Sequence, residues 1–219
     1  MELILKAVDF VLHVDVYLSD IIGQYGTWTY ALLFVIVFME TGFVVTPFLP
    51  GDSLLFAAGT FASPVLGSPL NVWLLFFLLA SAAIAGDTAN YWIGHAIGER
   101  AYTGEIKWIK KEYLDRTHAF FEKHGGKTIF LARFVPIIRT FAPFVAGVGE
   151  MTYGYFITYN VVGGIVWVAI FTFGGYFFGN IPLVKENFSL VIIVIILISV
   201  IPVFIEAWKA RREKVVSHQ

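Results

Sequence analysis

Four charged side chains occur inside long apolar stretches of this chain, where a lipid bilayer would make charge costly. Glu40 and Asp52 lie in one stretch, and Arg133 and Arg139 lie in another. An ionisable residue at membrane depth usually marks a pathway or site for ions, protons or substrate. The two carboxylates and two guanidiniums therefore indicate proton and anion chemistry.

Each pair of charges lies beside residues that interrupt a helix. The segment around Asp52 contains two prolines and a glycine, and a proline stands between Arg133 and Arg139. Irregular backbone at membrane depth is tolerated only where it is buried in protein or lines a cavity. We therefore predict hairpin breaks at Pro47, Pro50, Gly51, Pro136 and Pro143.

Glu40 and Asp52 are the predicted proton-coupling residues. Removal from water favours the protonated form of a carboxylic acid, which suits a group that carries protons near neutral pH. Asp52 has a second interpretation, because it follows Pro50-Gly51 and precedes an apolar helical run. An aspartate in that position is also typical of a helix N-cap, and the two roles are compatible.

Arg133 and Arg139 are the predicted binding residues for a lipid phosphate. They are six residues apart with Pro136 between them, and we expect the break to let both guanidiniums converge. Two guanidinium forks match the geometry of a phosphate group. The alternative is that both arginines pair with Glu40 and Asp52 and hold the hairpins together. In a combined mechanism, substrate or proton displaces that pairing.

Other polar residues in the chain are candidates for further roles. Asp87 and Asn90 lie one helical turn apart and are candidates either for lining the same cavity or for buried helix packing. His118 and Glu122 are four residues apart on a charged helix, which favours a solvated face over a metal site. The motifs of phosphate-binding loops, serine hydrolases and zinc proteases are missing. We predict no metal, no cofactor and no catalytic residue.

The composition is that of an integral membrane protein with one domain. The chain has 219 residues, of which 58% are hydrophobic, 17% aromatic and 14% charged, with a mean hydropathy of +0.77. Soluble domains carry about 25% charged residues. The net charge of −1 gives no attraction to nucleic acid. The absence of cysteine excludes disulfides and thiolate sites.

Apolar and amphipathic runs divide this single domain, residues 1–219, into seven segments, and the predicted fold is all-α. Residues 1–24 and 105–124 have the pattern of interfacial amphipathic helices. Two apolar segments are broken, and the run Ser53–Phe61 after the first break is far too short to cross a bilayer, so we predict re-entrant hairpins over 28–61 and 128–148. Crossing helices are predicted over 72–98, 154–179 and 188–208.

The basic residues predict the topology. No Lys or Arg occurs between Ala7 and Glu99, whereas seven occur from Arg100 to Lys127 and four more lie near the C-terminus. Basic segments flanking membrane spans stay in the cytoplasm. We therefore expect a multi-pass protein with a cytoplasmic C-terminus, and the side of the N-terminal helix stays open.

The two halves of the chain have similar patterns. Glu40 lies fourteen residues after Gly26, and Arg139 lies fourteen residues after Gly125. Because one crossing helix separates the hairpins, we expect them to enter from opposite faces as an inverted repeat. The matching positions are Tyr25-Gly26 with His124-Gly125, Ala58-Gly59 with Ala146-Gly147, and Gly94-x-x-x-Gly98 with Gly175-x-x-x-Gly179.

Three motifs together resemble the DedA family, also called the VTT or SNARE-associated Golgi domain family, and the likeness runs over nearly the whole chain. They are Glu40-Thr41-Gly42, Pro47-x-x-Pro50-Gly51-Asp52, and Ala132-Arg133-Phe134-x-Pro136-x-x-Arg139-x-x-x-Pro143-x-x-Ala146-Gly147.

The resemblance implies a lipid transporter of the bacterial inner membrane with two opposed re-entrant hairpins. Members are linked to flipping undecaprenyl phosphate, to phospholipid scrambling and to the proton motive force. The acidic pair of the family matches Glu40 and Asp52, and its arginine pair matches Arg133 and Arg139. The implied partners are polyprenyl phosphate or phospholipid, protons and membrane lipids, and an oligomer stays open.

We therefore expect a proton-coupled lipid flippase that is not an enzyme. The alternatives are a proton-coupled transporter of small ions or drugs, in which the arginines are structural, and a passive phospholipid scramblase. A non-transporting scaffold is a further alternative. A lipid phosphatase is disfavoured, because no His–Asp nucleophile arrangement or metal cluster lies beside the arginines in the sequence.

Overall fold

The computed structural model describes residues 14–43, 51–64, 69–103, 115, 117–121, 125–188, 190–191 and 193–195. The predictions for Pro47 and Pro50, for the first half of the 1–24 helix, and for most of 105–124 and 188–208 lie outside these residues.

Every regular element within the described ranges is a helix, as the sequence predicts. Three helical stretches are long and apolar enough to cross a membrane: Val16–Gly42, Val72–Ala101 and Tyr153–Phe178. The helices are α1 Val14–Tyr25, α2 Thr29–Gly42, α3 Gly51–Phe61, α4 Val72–Tyr102, α5 Lys127–Ala132, α6 Pro136–Val148, α7 Tyr153–Phe178 and α8 Pro182–Glu186.

The predicted crossing helices 72–98 and 154–179 correspond closely to α4 and α7. The start of α4 is fixed by Asn71, whose side-chain oxygen accepts from the backbone N–H groups of Trp73 at 2.9 Å and Leu74 at 3.1 Å. These bonds satisfy two donors that a helix N-terminus leaves unpaired. The first candidate span is not one regular helix, because a 3-10 turn over Gly26–Trp28 separates α1 from α2.

Gly26 and Gly125 mark comparable turns at the start of each predicted half. Their φ angles are +53° and +59°, a left-handed conformation that only glycine adopts without a steric penalty. Gly26 precedes α2, which contains Glu40, and Gly125 precedes α5, which ends directly before Arg133.

The break predicted at Pro136 is confirmed. Helix α5 ends at Ala132, Val135 is extended with φ −118° and ψ 105°, and α6 begins at Pro136. Proline is favoured at this first helical position because its missing N–H would be unpaired there anyway. Gly51 is the first described residue of α3.

The break predicted at Pro143 is wrong. This proline lies inside α6, which continues to Val148. Proline removes one backbone hydrogen bond from a helix interior, but neighbouring helices make such residues tolerable in membrane segments. Helix α4 packs closely on this part of α6, where the carbonyl oxygen of Phe144 faces Gly94.

The second helix of each broken segment packs backbone to backbone on a crossing helix. Between α3 and α7, a methyl group on Gly59 would lie 1.9 Å from the carbonyl oxygen of Thr172, and one on Gly175 would lie 1.9 Å from that of Phe56. Small residues at such interfaces let membrane helices approach closely.

The same arrangement joins α4 and α6. A methyl group on Gly147 would lie 2.0 Å from the carbonyl oxygen of Tyr91, and one on Gly94 would lie 2.1 Å from that of Phe144. The sequence analysis matched Gly59 with Gly147, and the structure gives both the same kind of contact.

The first helix of each broken segment runs beside the other crossing helix. The hydroxyl of Tyr30, early in α2, accepts from the backbone N–H of Asn71 at 2.5 Å, and Gly42 at the end of α2 faces Gly86 in the middle of α4. Helix α5 follows α7 in the same way. Gly126 lies against the ring of Tyr159, and Arg133 lies against Gly164.

We predict that Gly175→Ala destabilises the protein and that Gly174→Ala does not. The methyl group at 175 meets backbone atoms of α3, whereas at 174 the nearest atoms belong to the Phe56 ring at 3.9 Å. Overpacking of this kind costs about 1–3 kcal/mol. Thermal unfolding in detergent, followed by loss of the monodisperse elution peak, measures the difference. Equal unfolding temperatures for the two variants would contradict the close contact.

Candidate functional site

Arg139 links the two predicted proton carriers. It lies in the first turn of α6, and its Nη1 donates to Oδ1 of Asp52 at 2.6 Å while its Nη2 donates to Oε1 of Glu40. All three side chains are buried. Charge-assisted bonds to a guanidinium are among the strongest that proteins make, so this bridge holds the end of α2 and the start of α3 against α6.

Arg133 has a different set of partners. Its Nη2 donates to Oδ2 of Asp87 in α4 and to Oδ1 of Asn160 in α7, the latter at 2.6 Å. The residue lies in the break between α5 and α6 and is 3% exposed. The second ion pair therefore connects the break to both crossing helices.

The two arginines therefore have different carboxylate partners and do not both pair with Glu40 and Asp52, the alternative given in the sequence analysis. Arg139 binds Glu40 and Asp52, whereas Arg133 lies in the break and is directed between α4 and α7. Both guanidiniums nevertheless lie beside the ring of Trp167. Their Cζ atoms are 4.8 Å from the ring centroid for Arg139 and 5.9 Å for Arg133, which are cation–π distances.

Trp167 also completes the surroundings of Asp52. Its Nε1 donates to Oδ1 of Asp52 at 2.9 Å, and the side chain is 1% exposed. Asp52 lies in the first turn of α3 and not before it. Its carboxylate bonds to Arg139 and Trp167 link the first turn of α3 to α6 and add a polar contact to its packing on α7.

Gly51 lies directly against the carboxylate of Glu40. Its backbone N–H donates to Oε1 of Glu40 at 3.1 Å, and a methyl group on its Cα would lie 2.1 Å from Oε2 of the same carboxylate. A side chain at position 51 would therefore displace Glu40 from the cluster.

Asp87 and Asn90, predicted either to line a cavity or to serve buried helix packing, both make buried hydrogen bonds at the site. Asp87 is the partner of Arg133. The amide nitrogen of Asn90 donates to the carbonyl oxygens of Thr41 at 3.2 Å and Thr140 at 2.8 Å. Asn90 thus ties the ends of α2 and α6 that carry Glu40 and Arg139.

Several buried polar atoms of the site have no hydrogen-bond partner within the described part of the chain. They include one carboxylate oxygen and one guanidinium nitrogen, so both an acceptor and a donor are spare. These atoms are Oε2 of Glu40, Oγ of Ser53, Oδ1 of Asn90 and Nη1 of Arg133. Such orphaned groups are costly, and in native structures they often mark functional positions.

The sequence analysis missed Asn160 and Trp167. Asn160 is fully buried, and its amide nitrogen donates to the carbonyl oxygen of Ile84 at 3.1 Å. The available signal was a lone amide in the apolar span of α7, followed one turn later by Gly163-Gly164. For Trp167, the signal was a tryptophan in the middle of a span, since tryptophan is usually enriched at the membrane interfaces.

Comparison with known proteins identifies the family of the chain. A family profile described as the VTT domain matches residues 49–177. Protein DedA of Escherichia coli (strain K12) is 54% identical over 213 residues, covering 97% of each chain. No solved structure matches the chain.

More distant relatives are also membrane proteins by name. An uncharacterized membrane protein of Mycobacterium tuberculosis (strain ATCC 25618 / H37Rv) is 43% identical over 195 residues, covering 87% of this chain and 85% of its own. Inner membrane protein YqjA of Escherichia coli (strain K12) is 35% identical over 155 residues, covering 70% and 69%. The family expected from the motifs is confirmed: the chain belongs to the DedA family of membrane proteins and carries its VTT domain.

Proposed function

We propose that this protein is a flippase that moves a lipid with a phosphate headgroup, undecaprenyl phosphate or a related phospholipid, between the leaflets of the inner membrane and couples this movement to protons. The observation that carries the proposal is the buried cluster of three carboxylates and two guanidiniums, formed by Glu40, Asp52, Asp87, Arg133 and Arg139.

The carboxylates outnumber the guanidiniums in this cluster by one. If all five groups are ionised, the cluster carries a net charge of −1, which a low-dielectric interior strongly disfavours. Binding one proton removes the excess. Glu40 is the proposed proton acceptor, because its Oε2 is buried and has no hydrogen-bond partner within the described residues.

Protonation of Glu40 weakens its attraction for Arg139. A phosphate group then replaces the carboxylate at the guanidinium. Two of its oxygens can accept hydrogen bonds from the arginine fork, which makes phosphate a well-matched bidentate partner. The spare Nη1 of Arg133 offers a second donor to the same headgroup. In this mechanism Glu40 and Asp52 couple to protons, and Arg133 and Arg139 bind the lipid phosphate.

The electrical cost of moving a lipid anion explains why proton coupling is useful. One charge crossing the membrane potential costs or gains ~2.3 kcal/mol per 100 mV, which changes the distribution of an anion by more than about tenfold. A proton that travels with the phosphate cancels this charge. The apolar tail stays in the bilayer throughout, so only the headgroup needs a polar path.

We further propose that the broken segments are re-entrant hairpins related as an inverted repeat. Helix α2 begins beside the N-terminal end of α4 and reaches its middle at Gly86, and α3 then follows α7 to Gly175 and Gly179, near its C-terminal end. Helix α5 likewise begins beside Tyr159, near the N-terminal end of α7, and α6 then follows α4 to Gly98, near its C-terminal end. Each chain segment would thus enter to midplane depth and return to the same face.

The proposed location is the bacterial inner membrane, with several passes and a cytoplasmic C-terminus. The relative named as an inner membrane protein and the three apolar helices support the location, and the positive charges from Arg100 to Lys127 support the orientation. The proposal assigns no catalytic residue and leaves the number of subunits open.

One observation favours a second candidate, a proton-coupled transporter of small ions or drugs. Both guanidiniums are already engaged by buried carboxylates, as expected if the arginines only hold the helices together. Proton flux that depends on an added small ion, in vesicles lacking polyprenyl phosphate, supports this candidate. A passive scramblase differs from both, because its lipid movement ignores a proton gradient.

We predict that Arg139→Lys and Arg133→Lys slow transport of undecaprenyl phosphate by about tenfold or more. Lysine keeps the positive charge but lacks the planar fork, and a lost hydrogen bond to a charged group costs ~1.5–3 kcal/mol. The rate is measured with a leaflet-specific reporter of the lipid in reconstituted vesicles. The exposed Arg100 in the last turn of α4 supplies the control variant Arg100→Lys. Wild-type rates in both cluster variants, folded by elution profile, would refute headgroup binding.

We predict that Glu40→Gln abolishes the response of transport to an imposed proton gradient. Glutamine resembles the protonated acid and cannot release the proton, so the remaining movement should be equal with and without the gradient. The same vesicle assay, repeated over a series of internal and external pH values, measures this response. Glu186→Gln changes an exposed carboxylate of α8 and serves as the control. If Glu40→Gln keeps the wild-type response, Glu40 is not the coupling residue.

A further inference from the structure

An open groove of about 450 Å³ lies between α5 and α7, outside the charge cluster. It is lined mainly by apolar and aromatic side chains, with one cation at its edge. The lining residues are Lys127, Phe130, Leu131, Thr158, Tyr159 and Val162.

The outer wall of this groove is apolar and exposed. Leu131 and Val162 have exposed fractions of 64% and 48%, which in a membrane protein is expected of side chains that contact lipid chains. Lys127 is also exposed. It is the last residue of the basic segment that begins at Arg100, so its ammonium group belongs to the membrane surface. The groove therefore joins a surface cation to an apolar channel.

The inner wall of the groove reaches the charge cluster. A methyl group on Gly163 would lie 3.5 Å from the ring of Phe130 and equally close to Cδ and Nε of Arg133. One on Gly164 would lie 3.0 Å from Nη1 of Arg133, the nitrogen without a partner among the described residues. The missing side chains at these glycines leave only a thin wall between groove and guanidinium.

We propose that the α5–α7 groove is a docking site for one lipid with an anionic phosphate headgroup. The headgroup lies at Lys127, and the tail lies along Phe130 and Val162. Lysine binds phosphate as a point charge, and the apolar wall matches a hydrocarbon chain. The groove then presents the headgroup six residues, less than two helical turns, before Arg133. This last step rests on the proposed flippase function, whereas docking itself does not.

Photo-crosslinking tests the docking site directly. A benzophenone amino acid replaces Val162 in the groove or, as the matched control, Ile170, which lies two turns further along α7 and is 54% exposed. The protein is reconstituted in phosphatidylcholine vesicles with a trace of alkyne-tagged phosphatidic acid or alkyne-tagged phosphatidylcholine. We expect position 162 to label with phosphatidic acid about fivefold more than with phosphatidylcholine, the preference that one surface lysine provides. At position 170 both lipids should label equally.

The charge at position 127 decides the interpretation. Lys127→Gln should remove the preference at position 162, and Lys127→Arg should keep it. Equal labelling by both lipids at position 162 in the otherwise wild-type protein, or a preference that survives Lys127→Gln, overturns the docking site.

The outcome is separable from that of the flippase proposal. Glu40→Gln is expected to keep the labelling preference, because crosslinking reads binding and not transport. If the preference is missing while transport still depends on Arg139 and Glu40, the docking site is wrong and the flippase proposal stands. If the preference is present while the protein moves no lipid, the docking site stands and the flippase proposal fails.

Discussion

The bridge from Arg139 to Glu40 and Asp52 is the interaction on which the rest of this structure depends. Two buried carboxylates that are both ionised are strongly destabilised side by side unless a cation lies between them, and removing one partner of a buried ion pair typically costs about 3–5 kcal/mol. The ends of three helices therefore have to meet at one guanidinium. The glycine at position 51 follows from the same constraint, since any side chain there would collide with Glu40.

The sequence predicted the members of this bridge because their cost in a membrane makes them conspicuous. Charges in apolar runs, beside residues that end helices, have few structural explanations. The two long crossing helices could also be predicted from the sequence, since apolar runs of this length with short polar ends are typical of membrane spans. The observed α4 and α7 begin and end within a few residues of the prediction.

The partners of Arg133 could not be predicted from the sequence in the same way. The break before Pro136 indicates that the chain changes direction, but not by how much, so the sequence does not determine where a guanidinium preceding it points. Asn160 and Trp167 escaped notice for a different reason. A single amide or indole in a span is common in packed membrane helices, and only the neighbouring charges give these two side chains their role. The continuation of the helix through Pro143 likewise depends on packing by α4. Local helix propensity gives no information about such packing.

Two pairs of the described helices are in close contact through glycine. Glycine contacts join α3 to α7 and α4 to α6 with almost no space between backbones, so neither pair can separate without losing all of this packing. The bonds that run between the pairs near the site are polar: Arg139 to Asp52, Asp87 through Arg133 to Asn160, and Asn160 to the carbonyl oxygen of Ile84. Ionic and hydrogen bonds can be exchanged for bonds to a proton, water or phosphate, whereas a backbone contact across glycine has no substitute. A change of protonation therefore acts directly on the polar bonds between these two pairs.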